Sequence, residues 1–258
     1  MPVITLLSDF GTRDYFVGAM KGVLLSLNPD VTLVDISHEI PPQDIFTGAF
    51  TLGQAYSCFP PGTVHCAVVD PGVGTGRKAL AAAAAGHYFV APDNGILTYI
   101  MEANEDFVVH EITADHYFRK PVSATFHGRD IFASIAAWIS RGIPLEQLGP
   151  ALPEPVRLKI PAPRKVREGL IQGAILAIDQ FGNLITNLKP PDLPPSSKVI
   201  LAGQREITSL RNTYGEANPG EIFIVAGSTG YLEIAVRGGS AASALNLKVG
   251  APVGVVPA

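Results

Sequence analysis

The sequence predicts an α/β fold: an N-terminal, mostly parallel sheet with helices on both faces, followed by a small C-terminal β-barrel domain. Over residues 1–150, near-continuous apolar runs alternate with amphipathic ones, which is typical of a parallel sheet covered on both sides. Five prolines between positions 150 and 163 interrupt any regular element and indicate a linker. Short apolar runs separated by glycine, proline and asparagine turns follow, as in small barrels.

Apolar runs and their spacing define the N-terminal elements. Short runs predict strands at residues 3–7, 31–36, 64–69, 80–85 and 88–90. Apolar side chains at helical spacing predict a helix that carries Phe16, Met20, Val23 and Leu27, and further helices over 44–59 and 130–139. The runs at 96–101 and 107–112 continue the alternation. In an open parallel sheet the loops after the strands line the ligand crevice, so we expect the site there.

The C-terminal part is predicted to consist of strands and turns. The strands are expected at residues 170–178, 184–188, 198–201, 222–225, 232–236 and 253–256, and no convincing helix is visible. We therefore expect an N-terminal α/β domain over residues 1–150, a proline-rich linker over 151–167 and a β-barrel domain over 168–258.

The composition excludes several classes of protein. Of the 258 residues, 47% are hydrophobic, which excludes a disordered chain because such a sequence can bury a core. The formal net charge of −4, without basic runs, argues against a nucleic-acid partner. Two cysteines supply neither a disulfide framework nor a zinc set, and His-x-x-x-His and Cys-x-x-Cys pairs are absent from the sequence. We therefore expect no metal and a reducing, cytoplasmic location.

A membrane partner is not expected either. Residues 45–69 lack Asp, Glu, Lys and Arg, but Pro60-Pro61-Gly62 interrupts them, and neither side reaches the ~20 apolar residues of a spanning helix. No basic region precedes the first apolar run, so a signal peptide is not predicted.

Asp9 is the first candidate site residue, in the motif Ser8-Asp9-Phe10-Gly11-Thr12 directly after the first strand. An acidic side chain at this end of a parallel sheet can accept hydrogen bonds from a ligand's pair of hydroxyls, as acidic residues do with ribose. Alternatively, Asp9 caps the helix that follows. Asp-Phe-Gly also occurs in protein kinases, but neither a preceding glycine-rich loop nor a following His-Arg-Asp accompanies it here.

The loop after the third strand contains the next two candidates, Asp70 and Arg77. Its sequence, Asp70-Pro71-Gly72-Val73-Gly74-Thr75-Gly76-Arg77, matches neither the dinucleotide fingerprint nor the Walker loop. A tight turn would place the carboxylate and the guanidinium near one another. Alternatively, the segment is an ordinary glycine-rich turn with a solvated arginine.

His127 is a candidate general base. In Thr125-Phe126-His127-Gly128-Arg129-Asp130 it lies at or just before the first turn of a helix, where the helix dipole favours the neutral imidazole. A neutral histidine can accept a proton or orient a water molecule. We interpret the remaining histidines as structural or surface residues, namely His38, His65, His87, His110 and His116.

Three further segments are turn-forming, and their backbone can approach a ligand. They are Pro92-Asp93-Asn94-Gly95, Asp179-Gln180-Phe181-Gly182-Asn183, and Ser228-Thr229-Gly230-Tyr231-Leu232-Glu233 with Val236-Arg237-Gly238-Gly239-Ser240. Each signal is weak alone, and the second segment is equally consistent with a simple hairpin loop.

In this order along one chain, the motifs resemble those of the S-adenosyl-L-methionine hydroxide adenosyltransferase family, which is related to the bacterial fluorinase and chlorinase. The resemblance covers essentially the whole chain. It implies an N-terminal α/β domain, a C-terminal β-barrel, a homotrimer with sites between subunits, and hydrolysis of S-adenosyl-L-methionine to adenosine and L-methionine, with no cofactor.

The resemblance also implies roles for individual residues. Asp9 would hold the ribose hydroxyls, and Asp70, Arg77 and His127 match the three residues associated with the hydrolytic water. The remaining substrate contacts would be Asn183 and the backbone near Val236 for adenine, Phe181 for its face, Asp179 for the methionine ammonium and Ser228 for its carboxylate, with Tyr231 and Glu233 nearby.

Three alternatives to hydrolysis remain open. The halogenating relatives have Tyr at the positions of both Asp70 and His127, which favours water over halide as the nucleophile here. A sensor that binds S-adenosyl-L-methionine without turnover would need Asp9, Asp179 and Asn183. It would not need the three water-activating candidates Asp70, Arg77 and His127. A methyltransferase would need a G-x-G-type first loop, which residues 8–12 lack. Which of Asp70, Arg77 and His127 takes the water proton stays open.

Overall fold

The computed structural model describes residues 1–167, 170–192 and 199–256, and within these it omits the side chains of Arg167 and Val199. The chain divides into two compact units, Met1–Leu158 and Lys159–Ala258. Among the described residues, no helix combines the length and the apolarity that crossing a bilayer would require.

The first unit contains a six-stranded sheet that is mostly parallel, as the sequence predicts. Its strands are β1 (Val3–Ser8), β2 (Thr32–Ser37), β3 (Val64–Val68), β4 (Ala79–Ala84), β5 (His87–Pro92) and β6 (Val108–Glu111). Their order is β2-β1-β3-β5-β4-β6. Strand β1 pairs in parallel with β2 and β3, and β3 with β5, whereas β4 is antiparallel to both its neighbours.

Helices cover both faces of this sheet, which confirms the predicted layering. They are α1 (Phe16–Leu27), α2 (Ile45–Ala55), α3 (Thr98–Ala103) and α4 (Ala133–Ser140). Alternation along β1 shows the two faces, because Leu6 packs into the core that contains Met20 of α1, while Leu7 packs into the core that contains Leu52 of α2.

The ends of two predicted helices differ from the expectation. The helix predicted over 44–59 ends at Ala55, and a single 3₁₀ turn over Tyr56–Cys58 follows, before the two prolines at 60 and 61. The helix predicted from residue 130 is preceded by a π-helical turn, Gly128–Phe132, which continues directly into α4. Such turns leave backbone out of regular α-helical register and are frequent at functional sites.

The second unit is a nearly closed antiparallel barrel-like sheet, as predicted. Its strands are β7 (Arg164–Arg167), β8 (Leu170–Ile178), β9 (Leu184–Thr186), β10 (Val199–Ala202), β11 (Arg205–Ile207), β12 (Ile222–Ala226), β13 (Leu232–Val236) and β14 (Pro252–Val256). The order β11-β10-β14-β8-β9-β13-β12 ends where a bridge between Leu210 and Ile224 joins the segment after β11 to β12. Ile175, Ile234 and Val255 are among its fully buried core residues.

Three elements of this unit were not predicted. A short helix, α5 (Ala241–Leu245), contradicts the expectation of no helix; Ser240 caps it by accepting a hydrogen bond from the Ser243 N–H. One turn of Ala and Ser has no amphipathic period to detect. Strands β7 and β11 were missed because charged residues dominate them. Lys198, the first residue of another predicted strand, lies outside the described residues.

Candidate active site

Asp70 and Arg77 form a close ion pair at the carboxyl end of β3. The Arg77 Nε atom lies 2.9 Å and 3.0 Å from the two Asp70 carboxylate oxygens, and Nη2 lies 2.5 Å from Oδ2. The two side chains are only 4% and 11% exposed, respectively. A bidentate arginine–carboxylate pair in this environment fixes both groups in one geometry. The alternative of a solvated arginine on a plain turn is therefore wrong.

His127 completes a chain of three groups. The Nη2 atom of Arg77, besides bonding Asp70, donates to Nδ1 of His127 at 2.9 Å. A guanidinium has only donors, so Nδ1 must act as the acceptor and the neutral ring carries its hydrogen on Nε2. Burial, together with the positive charge of Arg77, lowers the pKa of His127, and these effects outweigh the opposing charges of Asp70 and Asp130.

Close packing of two loops holds the hydrogen-bonded side chains of Asp70, Arg77 and His127 in place. Gly74, with φ of +76°, lies so close to the segment before His127 that a Cβ atom at this position would come within 2.2 Å of the Ala124 carbonyl oxygen. Only glycine fits there without moving the backbone. The Arg77 guanidinium also lies 5.0 Å from the ring centroid of Phe132, in the π-helical turn.

Asp130 anchors the same segment from inside the unit. Its fully buried carboxylate accepts hydrogen bonds from the side chains of Arg119 and Arg129 and from the Ser123 N–H. Burial alone would raise the pKa of Asp130, but these donors outweigh it and lower the pKa. The hydrogen bond between Ser123 and Asp130 thereby fixes both ends of the segment that carries His127.

Asp9 lies at the same edge of the sheet as Asp70, because β1 and β3 are parallel neighbours, with Ser8 paired to Val68. Its Oδ2 atom accepts a 2.7 Å hydrogen bond from the Gln43 N–H. Helix α1 begins after Tyr15 without a capping side chain, so the alternative that Asp9 caps it is wrong. Within the described part of the chain, the other oxygen of Asp9 has no hydrogen-bond partner.

A second group of candidates lines a cavity of about 590 Å³ in the C-terminal unit. Its lining comprises Asp179, Phe181, Asn183, Tyr214, Val236, Arg237, Gly238 and Gly239. Asp179 shapes the turn between β8 and β9: Oδ1 accepts from the backbone N–H groups of Phe181 and Asn183, and Oδ2 accepts from the Asn183 amide. The segment is thus a hairpin turn and also lines the cavity, so the two interpretations from the sequence are compatible.

Two side chains of this turn present groups suited to a nucleobase. Phe181 is 76% exposed, which is unusual for a phenyl ring and leaves its face available for stacking. The Asn183 amide nitrogen is engaged by Asp179, and among the described residues the Asn183 oxygen has no partner, so it is an available acceptor.

The other predicted contacts lie outside the cavity lining. Glu233 is buried and accepts a 2.6 Å hydrogen bond from the hydroxyl of Tyr214, so it orients a lining residue. Ser228 is exposed on the turn after β12, and the Tyr231 ring lies 5.5 Å from Lys189 Nζ. Sequence reasoning missed Tyr214 as a lining residue. The only signal for it is an aromatic residue in a turn-rich segment, since its partner Glu233 is 19 residues away.

In the ranges the structure describes, no group of three or more His, Cys, Asp or Glu side chains is arranged to hold a metal ion.

Comparison with known proteins identifies the family. The N-terminal domain of the SAM hydroxide adenosyltransferase family matches residues 4–149, and its C-terminal domain matches residues 173–254. The chain belongs to this family. The candidates Asp9, Asp70, Arg77 and His127 lie within the N-terminal match, and the candidates from Asp179 to Val236 lie within the C-terminal match. Each group therefore lies in one of the two domains of SAM hydroxide adenosyltransferases.

Individual relatives agree with this assignment. The (R)-S-adenosyl-L-methionine hydrolase of Salinispora tropica is 40% identical over 96% of this chain and 95% of its own. A fluorinase of an Actinoplanes species is more distant, at 32% identity over 100% of this chain and 98% of its own. A crystal structure of a conserved protein from Thermotoga maritima superposes with a TM-score of 0.92 at 35% identity, covering 98% of this chain and 99% of that one.

Proposed function

We propose that this protein hydrolyses S-adenosyl-L-methionine to adenosine and L-methionine. Family membership and the 40% identity to a named hydrolase support the reaction. The observation that carries it is the ion-paired chain of Asp70, Arg77 and His127, because it supplies an acceptor, a fixed cation and a neutral donor side by side. A reaction with water needs these groups, whereas mere binding does not.

The proposed step is an in-line displacement at the ribose C5′. A bond forms between the water oxygen and C5′, the bond from C5′ to sulfur breaks, and its electron pair neutralises the sulfonium. The reaction removes a positive charge, so a poorly hydrated site favours the transition state over the charged substrate. Alignment of water with C5′ can contribute up to about 7–11 kcal/mol.

Within the trio, the geometry favours Asp70 as the proton acceptor. The Nδ1 atom of His127 already accepts from Arg77, and its Nε2 atom carries the ring hydrogen in the neutral form. The water becomes strongly acidic as its oxygen bonds to carbon, so a carboxylate is basic enough to take the proton late in the step. We propose that His127 donates from Nε2 to the reacting oxygen and orients it.

The substrate contacts follow the two groups of residues. We propose that Asp9 accepts from the ribose hydroxyls through its second oxygen, and that Asn183 and backbone near Val236 bind adenine against the face of Phe181. Asp179 would contact the methionine ammonium and Ser228 the carboxylate, with Tyr231 and Glu233 nearby. The buried hydroxyl of Thr229, which has no partner among the described residues, is a further donor beside Ser228.

The family resemblance further leads us to propose a cytoplasmic homotrimer in which each substrate contacts residues of neighbouring subunits. Its test mixes two inactive variants, His127→Ala and Asn183→Ala, which are unfolded and refolded together in equal amounts. Sites shared between chains would recover about a quarter of wild-type activity by random assembly. Mixed trimers confirmed by mass without recovered hydrolysis would contradict the shared site.

Product analysis tests the proposed reaction. Purified protein is incubated with S-adenosyl-L-methionine, with and without chloride or fluoride and with and without a chelator, and the products are separated by chromatography. We expect adenosine and L-methionine under every condition, because no metal or halide enters the step. Tight binding without turnover would support the sensor, and a halide-dependent 5′-halo-adenosine would support the halogenase; either result would contradict hydrolysis.

A further inference from the structure

A second series of hydrogen-bonded side chains runs beside Asp9, separate from the Asp70–Arg77–His127 group. Ser8 Oγ lies 2.7 Å from Nδ1 of His38, Nε2 of His38 lies 3.1 Å from Oδ1 of Asp35, and Lys21 Nζ lies 2.6 Å from Oδ2 of Asp35. Ser8 and His38 are only 1% and 4% exposed. The series therefore begins inside the protein, next to Asp9, and ends at the half-exposed Asp35–Lys21 pair.

The donors and acceptors of this series can be assigned from its ends. Burial raises the pKa of Asp35, but hydrogen bonds from Lys21 and His38 outweigh it and lower the pKa, so the carboxylate is ionised and accepts from Nε2–H. With Nε2 donating to Asp35, Nδ1 is left as the acceptor for the Ser8 hydroxyl. Ser8 Oγ is left to accept from the Phe10 N–H, at 3.3 Å.

His38 also joins the two loops that surround Asp9. Its backbone carbonyl accepts a 2.8 Å hydrogen bond from the Gly11 N–H, two residues beyond Asp9. Five residues after His38, the Gln43 N–H donates to Asp9 Oδ2. Gln43 adopts φ of +65°, an unfavourable conformation for a residue with a side chain, which points to a backbone held in place for this contact.

We propose that His38 is a positioning residue that fixes the Asp9 carboxylate for the ribose hydroxyls. This inference rests on the proposed function, in which Asp9 contacts the ribose. His38 acts through Ser8 on one side of Asp9, through the Gly11 N–H on the other, and through the loop that leads to Gln43. The Ser-His-Asp set is not a nucleophilic triad, because a 1% exposed Ser8 is inaccessible to a substrate.

The test measures discrimination between ribose and deoxyribose. The kcat/KM for S-adenosyl-L-methionine is divided by that for its 2′-deoxyadenosyl analogue, in the full-length protein. A carboxylate held against the hydroxyl gives a large ratio, on the order of 10²-fold or more, because the analogue leaves a polar group unpaired. A loss of fold alone lowers both values together and leaves the ratio unchanged.

Three variants separate the contacts of His38. His38→Ala removes both side-chain bonds, and we expect the ratio to fall by about 10-fold or more. His38→Asn keeps an acceptor near the place of Nδ1 for Ser8 and is expected to retain most of the ratio, whereas His38→Gln reaches towards Asp35 and is not. The control is His110→Ala in β6, at the opposite edge of the sheet from β2, which removes the 2.9 Å hydrogen bond between His110 Nδ1 and the Gly149 carbonyl oxygen.

The outcomes distinguish this inference from the proposed function. A low ratio in His38→Ala, with rescue by His38→Asn and an unchanged ratio in His110→Ala, supports positioning. An unchanged ratio in every His38 variant, beside a discriminating wild type, overturns it and leaves hydrolysis intact. If His38→Ala does not fold, the comparison of His38→Asn with His38→Gln decides in the same way. A wild type that does not release adenosine contradicts the proposed function itself.

Discussion

The Nη2 atom of Arg77 lies 2.9 Å from Nδ1 of His127, so a permanent cation faces the ring nitrogen at which His127 would accept a proton if it acted as a general base. Protonation at Nδ1 would remove the acceptor of this bond and place two positive groups in contact. We therefore propose that His127 donates to the reacting oxygen and that Asp70 accepts the proton.

The pH profile should reflect this arrangement. The pKa of His127 is lowered from its usual value of about 6.5, chiefly by burial, so the neutral, active form persists below that value. We expect kcat/KM to be constant at neutral pH and to fall as the pH drops through the lowered pKa, because protonation at Nδ1 breaks the hydrogen bond from Arg77. A profile that rises through an ionisation above pH 7 would contradict the lowered pKa of His127.

His127→Gln should separate donation from proton acceptance. A glutamine amide can donate from near the place of Nε2 but cannot act as a base at neutral pH. We expect His127→Ala to lose roughly 10²–10⁴-fold in kcat and His127→Gln to lose clearly less, with similar substrate affinity in both. Equal losses in the two variants would instead indicate that the imidazole is needed as a base.

Asp70→Asn should remove the proton acceptor while it preserves shape. We expect a loss of roughly 10²–10⁴-fold in kcat, measured from initial rates at saturating substrate. The buried Arg77 also loses its ionic partner, so the free energy of unfolding should fall. Asp106→Asn is a suitable control, because that carboxylate accepts from the Ala85 N–H on an exposed turn of β4 and β5. Similar kcat values for both variants would contradict the assignment.

Phe181→Ala tests the adenine contact. Stacking of a base on an aromatic ring contributes about 1–3 kcal/mol, so KM should rise roughly 5- to 150-fold while kcat changes little. Phe181→Tyr, which keeps a ring of the same shape, is the matched control. If Phe181→Ala leaves KM at the wild-type value, the exposed ring does not bind the base.

Acid stability should depend on a pair of histidines away from the site. His65 is fully buried, with Nε2 at 3.3 Å from Nδ1 of His87 and Nδ1 at 2.7 Å from Thr5 Oγ1. Burial, followed by repulsion from His87, lowers the pKa of His65 from 6.5 to about 3.

Between pH 6.5 and about pH 3, His65 binds a proton in the unfolded chain but not in the folded one. Stability is therefore retained above pH 6.5 and falls towards pH 3, by up to about 1.4 kcal/mol per pH unit for one group. Urea unfolding between pH 7 and pH 4 should show a shallower loss in His65→Asn than in wild type. His116→Asn, at an exposed position, should match the wild type; parallel losses in all three proteins would contradict the prediction.

Local pattern predicted most of the fold, because buried parallel strands such as β3 and amphipathic helices such as α1 leave a clear hydrophobic period. Charged edge strands and the single turn of α5 leave none. The motifs indicated candidate residues for the site, but not their contacts: Arg77 and His127 are 50 residues apart, and only folding brings them together. The tautomer of His127 depends on that contact and could therefore not be predicted from the sequence.

The origin of the oxygen in the product tests hydrolysis at C5′ most directly. The protein is incubated with S-adenosyl-L-methionine in ¹⁸O-labelled water, and the products are analysed by mass spectrometry. We expect adenosine with the label at its 5′-oxygen and unlabelled L-methionine. Methylthioadenosine with labelled homoserine would show that water attacks the amino-acid side of the sulfonium, and adenosine formation that requires halide would show another nucleophile; either result would contradict hydrolysis at C5′.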